Sequence, residues 1–440
     1  MSTTNIACKD NIYITGHRNP DMDSVCSAYA YAVLKNRIDP GKCYVAVRCG
    51  HLSDNVKKII ASLNIECPPY LRDVFPKVAD IYLTSKEHIQ ADDKLSELAG
   101  SYSDSKPSVT PIFDGNDFCG LLSLDDITAW VMKELSENGN IPSVPTVREL
   151  LREQAPTIKV DDLFTDAKNI LSSSQKRGLA VFDDAGYVGF VTRRCFLRKP
   201  RHNVILVDHN EPKQSIMGIE TANIIEILDH HRLDAVKTDL PIFIDAEPVG
   251  STCTIVYRQF LTHGIMPDAV TAKVMLAGII ADTLILRSPT TTPLDVKSAN
   301  ELAMLCDVNV QEFGRDMFAL IAGIKTRDPE EAILSDFKVY NEKGIRFGIG
   351  QCEVTTLQDI NEYSDKYIET LEDIRSRNDY EWAVLMITDV LKEHSVLLCT
   401  DYSVNRHLQY APLGKLIYDM PGVMSRKKQL LPEILNALGS

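Results

Sequence analysis

Short apolar runs alternate with segments of mixed polarity in the first part of the chain. Two such runs, 12–15 and 44–47, flank segment 24–36, which has the length of a helix and begins at Ser24, a residue type that caps helix N-termini. A strand, a helix and a second strand at this spacing predict a parallel sheet. The pattern resumes after residue 200, with strands predicted at 204–207, 224–228 and 242–244 and a helix over 251–263.

The closing part of the chain has a different pattern. Apolar runs at 347–349, 382–387 and 396–398 predict strands, and segment 358–378 has the spacing of an amphipathic helix. Residues 326–440 are therefore predicted to form a separate α/β domain.

Between these parts, segment 72–200 contains an internal duplication. The copies span 79–131 and 146–197. Each is predicted to form a helix, a strand, a tight acidic turn, a second strand, the pattern G-x-x-[S/T] and a final helix. The hydroxyl residue of that pattern is Ser123 in the first copy and Thr192 in the second. A repeat of this kind indicates a module distinct from the flanking sheet.

Composition narrows the classes of function. The 440-residue chain is acidic, with 61 Asp and Glu against 47 Lys and Arg, a formal net charge of −14. A protein that binds duplexes needs a basic face, so nucleic acid is not expected as a partner. No apolar run approaches the roughly 18 residues of a membrane span, and no signal-peptide pattern is visible. The 11 cysteines include no C-x-x-C pair, which favours reduced thiols in the cytoplasm over a disulfide framework.

Four segments rich in histidine and aspartate follow predicted strands or helices. Taken singly, each has a structural reading as a helix cap, an exposed loop or a satisfied polar residue. Together they offer imidazole and carboxylate ligands without thiolates, a set that suits Mn²⁺, Co²⁺ or Mg²⁺ better than a structural zinc. So many clustered anions would be unfavourable without a cation. The segments contain His17, Asp21 and Asp23; Asp208 and His209; Asp229, His230 and His231; and Asp282.

The order of these motifs is H-x-x-x-D-x-D, then DHN, then DHH, then a lone aspartate, and it resembles the DHH phosphoesterase superfamily. The basic segment 423–429 narrows the resemblance, because it looks like the substrate clamp of the family II inorganic pyrophosphatases. The resemblance covers residues 5–71 and 201–440. It implies an α/β fold with a parallel-sheet DHH catalytic domain (1–71 and 201–318), a linker (319–325) and a C-terminal α/β substrate-binding domain (326–440).

The same resemblance implies a reaction and its metal ligands. Inorganic pyrophosphate would be hydrolysed to two phosphates by a water that two metal ions activate. Mn²⁺ or Co²⁺ would occupy the tight sites, and Mg²⁺ would arrive with the substrate. The implied ligands are His17, Asp21 and Asp208 for one ion and Asp23, Asp208, His230 and Asp282 for the other, with Asp229 and His209 orienting them.

The resemblance also implies substrate contacts. His231, Arg426 and Lys427 are expected to contact pyrophosphate. The expected catalytic group consists of Asp208, His231, Lys325, Arg426 and Lys427. A further substrate cation is expected just after the linker, either Lys325 or Arg327, with Lys325 favoured. Closure of the C-terminal domain over the metals is expected to complete the site.

The duplicated segment resembles a tandem of cystathionine-β-synthase-type (CBS) domains, a regulatory module that binds adenine nucleotides. In that family the hydroxyl residue of G-x-x-[S/T]-x-x-D contacts phosphate and the aspartate holds the ribose. Ser123, Asp126 and Thr192 fit this pattern, but Cys195 replaces the second aspartate, so ribose binding by the second copy is open. The resemblance implies inhibition by AMP or ADP, activation by ATP or diadenosine polyphosphates, and a homodimer formed through the sheet edge and paired modules.

Two other functions are open from the sequence. A DHH-type phosphodiesterase acting on oligonucleotides or cyclic dinucleotides would share the metal chemistry, but the basic segment 425–429 argues against it. A nucleotide sensor with a degenerate catalytic half would have lost metal ligands, whereas every expected ligand is present here.

Overall fold

The computed structural model describes residues 11–85, 89–98, 108–141, 143–151, 156–234, 236–320, 324–354, 356–390 and 392–439. The chain divides into two compact units. One contains residues 1–74 and 203–440, and the other contains residues 75–202. Residues 321–323 of the predicted linker lie outside the described residues.

The first unit contains a five-stranded sheet in which all neighbouring strands run parallel, so the predicted parallel sheet is confirmed. In sheet order its strands are Phe243–Ala246, Asn223–Asp229, Asn203–Val207, Asn11–Thr15 and Cys43–Val47. Its α-helices are Met22–Ile38, Asp54–Ser62, Thr252–Thr262, Ala269–Thr283, Pro293–Leu305 and Val310–Ala319.

The three central strands of this sheet end side by side. Thr15 pairs with Leu206, and Val207 pairs with Leu228. Every side chain from Val204 to Val207 is buried, as expected for a strand covered on both faces. Because parallel strands end at the same edge, the polar segments that follow these strands meet there.

The first helix begins earlier than predicted. Helix Met22–Ile38 is capped by Asp21, whose Oδ1 accepts a hydrogen bond from the backbone N–H of Ser24 at 2.9 Å. The prediction that Ser24 is the cap is wrong, because the Asp21 carboxylate already serves the third N–H of the helix.

The carboxyl-terminal part forms a six-stranded sheet of mixed direction, and its predicted strands and long helix are confirmed. Strand Trp382–Asp389 is buried along its whole length. Val390 and Met424 from this part pack into the core formed by the helices of the first sheet. In sheet order the strands are Phe337–Glu342, Ile345–Val354, Trp382–Asp389, His394–Cys399, Ile417–Pro421 and Ala411–Gly414, and the α-helices are Pro329–Leu334, Ile360–Arg377 and Leu431–Ala437.

The second unit contains two three-stranded sheets of the same construction. In each, a short strand pairs parallel with a central strand, and a tight turn returns the chain antiparallel. The internal duplication is therefore visible as two copies of one sheet. The strands are Ile89–Gln90, Thr110–Asp114 and Asp117–Leu122 in the first copy and Ile158–Lys159, Gly178–Asp183 and Gly186–Thr192 in the second, with helices Leu124–Asn138, Val147–Leu150 and Phe164–Ser173.

The two copies end differently. Helix Leu124–Asn138 follows the first, but only the 3-10 turn Arg193–Phe196 follows the second, so the helix predicted there is wrong. Ser123 and the aspartate three residues later form a reciprocal capping box, with the carboxylate 3.0 Å from the Ser123 N–H. In the second copy the Cys195 thiol, a weak acceptor, lies 3.3 Å from the N–H of Thr192.

Two expectations about the chain as a whole can be compared with the structure. Among the described residues, no helix has both the length and the apolar character that crossing a membrane requires. The ten cysteines in this part of the chain are free thiols, in keeping with the spacing of cysteines in the sequence.

Candidate metal centre

Asp208 is the residue around which the candidate ligands gather. It follows strand Asn203–Val207 with a φ of 61°, a left-handed conformation that residues other than glycine seldom adopt. Its backbone N–H donates to the carbonyl of Leu228 at 2.9 Å, so the neighbouring strand fixes the turn. Its side chain is 1% exposed. A buried carboxylate on strained backbone is unfavourable, and such residues cluster at functional sites.

Three imidazoles approach the Asp208 carboxylate. Nε2 of His17 lies 3.4 Å from Oδ2, and Nε2 of His230 lies 3.4 Å from Oδ1. Nδ1 of His231 lies 3.8 Å from Oδ1. Each carboxylate oxygen therefore faces a different strand exit, an arrangement that suits a carboxylate shared by two cations.

Two groups of potential metal ligands share Asp208. Within each group the ligand atoms lie within 4.8 Å of one another, and a third, overlapping group adds His231. The structure thus brings together all six side chains that the sequence analysis selected. One group is His17, Asp21 and Asp208, and the other is Asp23, Asp208, His230 and Asp282.

The donor set of these groups fits a pair of divalent cations. Oδ2 of Asp208 and Nε2 of His230 are buried and have no hydrogen-bond partner among the described residues. Unpaired buried polar atoms are unfavourable, and a bound cation would satisfy them. The groups combine imidazole nitrogens with carboxylate oxygens, which suits Mn²⁺ or Co²⁺. The assignment of ions to particular residues stays a prediction.

Asp23 is held by the start of another helix. Its Oδ1 accepts hydrogen bonds from Ser251 Oγ at 2.6 Å and from the backbone N–H of Cys253 at 3.0 Å, and its Oδ2 accepts from the N–H of Thr252 at 2.6 Å. The hydroxyl of Thr252 also donates to Oδ1 of Asp208 at 3.1 Å. The sequence analysis missed these donors, although a helix N-terminus preceded by glycine is a signal for anion binding.

Asp282 reaches the cluster through the close packing of two helices. It lies in the last turn of helix Ala269–Thr283, with Oδ2 3.5 Å from Nε2 of His230. The helix dipole opposes a carboxylate at this end, which favours a cation beside it. One turn earlier, a Cβ on Gly278 would lie 2.4 Å from Sγ of Cys253, so the close approach requires glycine.

In the absence of a cation, the clustered groups hold protons unevenly. Burial, and after it the Asp208 carboxylate, raises the pKa of Asp23 to about 7. Burial and the Asp23 carboxylate raise the pKa of Asp282 well above its usual range. Burial alone would lower the pKa of His230, but Asp208 raises it to about 9, and neighbouring carboxylates raise the pKa of His17 in the same way. A cation must therefore displace protons from this site.

Hydrogen bonds to the far sides of the rings set the orientation of the histidines. Nδ1 of His230 lies 3.0 Å from the carbonyl of Val249, which leaves Nε2 facing Asp208. Nδ1 of His231 lies 2.9 Å from Oδ1 of Asp229, the contact expected of an orienting group. His209 bonds a backbone carbonyl through Nδ1 at 2.9 Å, and burial lowers its pKa to about 4.

The basic segment near the carboxyl terminus contains one buried cation, Arg426, and two exposed cations, Lys427 and Lys428. Arg426 donates from Nη2 to Oδ1 of Asp336 at 2.8 Å and from Nη1 to the Asp336 carbonyl at 2.7 Å. The Lys427 side chain is largely exposed, but it is partly shielded from water by the surrounding protein. This loss of hydration and the positive charge of Lys338 lower the pKa of Lys427. Although burial opposes it, the pKa of Asp336 is lowered by Arg426, Lys338 and His17, so this segment lies near the metal-ligand cluster.

Lys338 is a cation that the sequence analysis did not identify. It lies on strand Phe337–Glu342, and its charge acts on the pKa of Asp282 and of Lys427. Its positive charge therefore lies within electrostatic range of one candidate ligand and of the basic segment. The signal in the sequence was slight, a lysine two residues after Asp336 at the start of a strand.

The two cations predicted near the linker have other surroundings. Lys325 is exposed on a short 3-10 turn. Arg327 donates to Sγ of Cys352 at 2.7 Å and to the carbonyl of Glu353 at 3.2 Å. Their role as substrate contacts stays a prediction.

The predicted nucleotide-binding residues belong to the other unit. The hydroxyl of Ser123 donates to Oδ2 of Asp126 at 2.6 Å, and both residues are buried. Thr192 and Cys195 occupy the equivalent positions of the second copy, with Oγ1 3.7 Å from Sγ. Their role in nucleotide binding also stays a prediction.

Two family descriptions match the chain. "DHHA2 domain" matches residues 315–437, and "DHH family, N-terminal domain" matches residues 11–281, which is more than half of the chain. The chain belongs to the DHH family. This membership was predicted from the order of the histidine and aspartate motifs, and that prediction is confirmed.

Named relatives of this DHH-family protein match it over different shares of the chain. The cobalt-dependent inorganic pyrophosphatase of Clostridium perfringens is 26% identical over 97% of this chain and 98% of its own. The manganese-dependent inorganic pyrophosphatase of Methanothrix thermoacetophila is 35% identical over 53% of this chain and 76% of its own. A solved structure of a Methanococcus jannaschii protein, assigned to the family II inorganic pyrophosphatases, has a TM-score of 0.59 at 22% identity and covers 97% of this chain and 99% of its own, which indicates a shared fold.

We predict that metal binding to this DHH-family protein releases protons. Asp23, with a pKa of about 7, and His230, with a pKa of about 9, hold protons at neutral pH that Mn²⁺ must displace. The Mn²⁺ affinity should therefore rise with pH, by roughly tenfold per pH unit for each displaced proton. Calorimetric titration of the metal-stripped protein with Mn²⁺ at pH 6.5 and 7.5, in two buffers of different ionisation enthalpy, measures the Mn²⁺ affinity and the number of protons released. A binding heat independent of the buffer would contradict the prediction.

Proposed function

We propose that this DHH-family protein hydrolyses inorganic pyrophosphate to two phosphates. The predicted enzyme class, inorganic diphosphatase, is confirmed by the curated relatives, which are named cobalt-dependent and manganese-dependent inorganic pyrophosphatases. Within this chain, the observation that carries the proposal is the pair of ligand groups that share Asp208.

The proposed metals are Mn²⁺ or Co²⁺ in the two ligand groups, with Mg²⁺ arriving on the substrate. When bound, two such cations supply the positive charge that polarises a phosphate oxygen and acidifies water. One oxygen of the buried Asp208 carboxylate faces His17 of the first group and the other faces His230 of the second. The residues proposed to hold the ions are His17, Asp21 and Asp208 in one group and Asp23, Asp208, His230 and Asp282 in the other.

His231 is proposed to contact the substrate next to these groups. Its Nδ1 is engaged by Asp229, so Nε2 of the neutral ring is the acceptor that can take a proton from the attacking water. Burial and the adjacent His230 lower the pKa of His231, which keeps the ring neutral near neutral pH. A neutral ring in this tautomer can accept a proton, the role of a general base.

Cations of the C-terminal part are proposed to neutralise the leaving phosphate. Burial and, after it, the positive charge of Lys338 lower the pKa of Lys427, so the two cations lie within electrostatic range of each other. Arg426 supports this pair by anchoring the basic segment to Asp336. Lys428 donates to the carbonyl of Pro289 at 2.9 Å, a hydrogen bond between the C-terminal part and the part that contains the candidate metal ligands.

The duplicated unit is proposed to be a CBS pair that binds adenine nucleotides and regulates the reaction. The supporting features are two copies of one small sheet and the Ser123–Asp126 pair at the end of the first copy. AMP or ADP would inhibit and ATP or diadenosine polyphosphates would activate, through a coupling of about 1–3 kcal/mol. The first copy, which has the aspartate, would provide the ribose contact, and the second, with Cys195, would contact phosphate through Thr192.

A homodimer is proposed to form through the edge of the five-stranded sheet. The edge strand Phe243–Ala246 exposes Phe243 and Ile244, each about half accessible, and Leu240 nearby is 75% exposed. An apolar sheet edge with unpaired backbone groups favours addition of another strand.

Asp208→Asn is the most direct test of the proposed metal centre. The substitution keeps the size of the side chain and removes its charge. We expect activity to fall by more than about 100-fold, since groups that only orient metal ligands already cost 10–100-fold when lost. Phosphate release from pyrophosphate at saturating Mn²⁺ and Mg²⁺ measures the effect, with Asp316→Asn on the exposed face of helix Val310–Ala319 as the control. Near-normal turnover by Asp208→Asn or Asp208→Ala would exclude this assignment.

A second pair of variants separates the two candidate substrate lysines. Lys338→Met should lower kcat/KM for pyrophosphate by at least about tenfold, because a charge next to the leaving phosphate is lost. Lys325→Met, the same chemical change at an exposed turn, should stay within about twofold of the wild type. Steady-state kinetics of both variants provide the comparison, and the opposite order of effects would restore Lys325 as the substrate contact.

A third pair tests the proposed regulation. Asp126→Ala should weaken AMP binding by at least about tenfold, because a charge-assisted hydrogen bond to the ribose is lost. Cys195→Ala, at the equivalent position of the second copy, should leave AMP affinity within about twofold. Calorimetric titration with AMP gives the dissociation constants of both variants and of the wild type. Absence of AMP binding to the wild-type protein would reject the regulatory role while leaving the catalytic proposal intact.

A further inference from the structure

One short turn holds two of the candidate ligands, Asp23 and Asp208, and the second of these belongs to both ligand groups. Between Gly250 and Thr254 the chain enters helix Thr252–Thr262, and the donors of this turn bind Asp23 and Asp208, as described above. Any shift of the turn would move the accepting carboxylates with it. What holds the turn therefore also determines the geometry of the metal-ligand cluster.

Asp295 holds this turn from a different helix. Its Oδ2 accepts from the N–H of Gly250 at 2.8 Å, and its Oδ1 accepts from the hydroxyl of Thr254 at 2.6 Å. The two contacts engage the turn on either side of the donors to Asp23. The Asp295 side chain is fully buried, and its hydrogen bonds satisfy both oxygens.

The approach of Asp295 to the turn depends on the small size of Gly250. A Cβ at this position would lie 2.6 Å from Cγ2 of Thr283 and 2.9 Å from Oδ2 of Asp295. The N–H of Gly250 can reach the carboxylate only because no side chain intervenes. Thr283, which directly follows the candidate ligand Asp282 in the chain, packs against this turn.

Asp295 also has an ordinary structural task. It belongs to the capping box of helix Pro293–Leu305, where Oδ2 accepts from the N–H and from the hydroxyl of Thr292, both at 2.7 Å. A capping acid usually lies at the surface. This one is buried and bonds residues more than 40 positions earlier in the chain.

We propose that Asp295 is a positioning residue of the metal centre, which holds the Gly250–Thr254 turn so that Asp23 and Asp208 keep the orientation that cations need. The proposal rests on the proposed function, since it presumes that these acids bind metal. Asp295 acts through the turn, because its hydrogen bonds go to Gly250, Thr254 and Thr292.

Two matched substitutions separate positioning from capping. Thr254→Val and Thr292→Val each remove one hydroxyl that donates to Asp295, at 2.6 and 2.7 Å, and each preserves the shape of the side chain. The first hydroxyl belongs to the turn and the second to the cap. Calorimetric titration of the metal-stripped variants with Mn²⁺ alone, together with urea unfolding of the same samples, gives metal affinity and stability without reliance on activity.

The expected result is a selective loss of metal affinity. Thr254→Val should weaken Mn²⁺ binding by at least about tenfold, as is typical when a group that orients a metal ligand is lost. Thr292→Val should stay within about threefold of the wild type, because the backbone N–H of Thr292 still holds Oδ2. Excess Mn²⁺ should restore the activity of Thr254→Val, which a mere loss of folded protein would not allow.

Other outcomes have distinct meanings. If the wild-type protein does not bind Mn²⁺, the proposed function fails and this inference fails with it. If the wild type binds Mn²⁺ and the two variants lose affinity equally or not at all, Asp295 is only a helix cap. If Thr254→Val loses both stability and Mn²⁺ affinity, the variant Asp295→Asn, which keeps one acceptor oxygen, provides the deciding measurement. A positioning role requires that Asp295→Asn bind Mn²⁺ more weakly than Thr292→Val does.

Discussion

The mutual repulsion of the carboxylates around Asp208 is the constraint on which the rest of the structure depends. Four aspartates and two histidines offer their ligand atoms within a few ångströms, and several of these groups are removed from water. Such a cluster is unfavourable unless a cation or protons compensate the charge. The raised pKa of Asp23 and of Asp282 is the result expected when only protons are available. Binding of divalent cations would remove this penalty, which is why the fold can retain the cluster.

Both the backbone and the side chains of the fold position and stabilise these clustered carboxylates. Parallel strands deliver Asp208 and the histidines to one edge of the sheet, and the start of helix Thr252–Thr262 supplies donors to the most buried acids. Bringing these groups together requires an unfavourable left-handed backbone at Asp208 and a helix contact at Gly278 that leaves no room for a side chain. The duplicated unit enters the chain between Val74 and Asn203, outside the paired strands, so the sheet register does not depend on it.

The sequence was informative wherever chemistry follows directly from a local pattern. Apolar runs located all five strands of the parallel sheet and three of the six strands of the mixed sheet. Acids and histidines placed just after the runs of the parallel sheet were found together, because parallel strands end at a common edge. The sequence did not decide between neighbouring residues that could fill the same position. Ser24 and Asp21 are both good caps, and only the structure shows that Asp21 takes that position. The weak thiol acceptor of Cys195 and the nearby Pro200 left the second copy without its final helix.

Residues that act across the fold were beyond a reading of local patterns. Lys338 lies more than 50 positions from Asp282, and Asp295 lies more than 40 from the turn that it binds. The neighbouring sequence gives at most a slight signal for either residue, because the role proposed for each depends on packing between separate elements. Position along the chain indicated Lys325 and Arg327, the cations near the linker, and their role as substrate contacts stays a prediction.

The central claim is that the Asp208 cluster is a two-cation site for pyrophosphate. The measurement that tests it most directly is phosphate release by metal-stripped protein, resupplied with Mn²⁺ or Co²⁺ and Mg²⁺, from pyrophosphate and from linear and cyclic dinucleotides. The account predicts rapid release from pyrophosphate that requires the transition metal, with no cleavage of the dinucleotides. Cleavage of dinucleotides without pyrophosphate hydrolysis, or no hydrolysis with either metal, would contradict it.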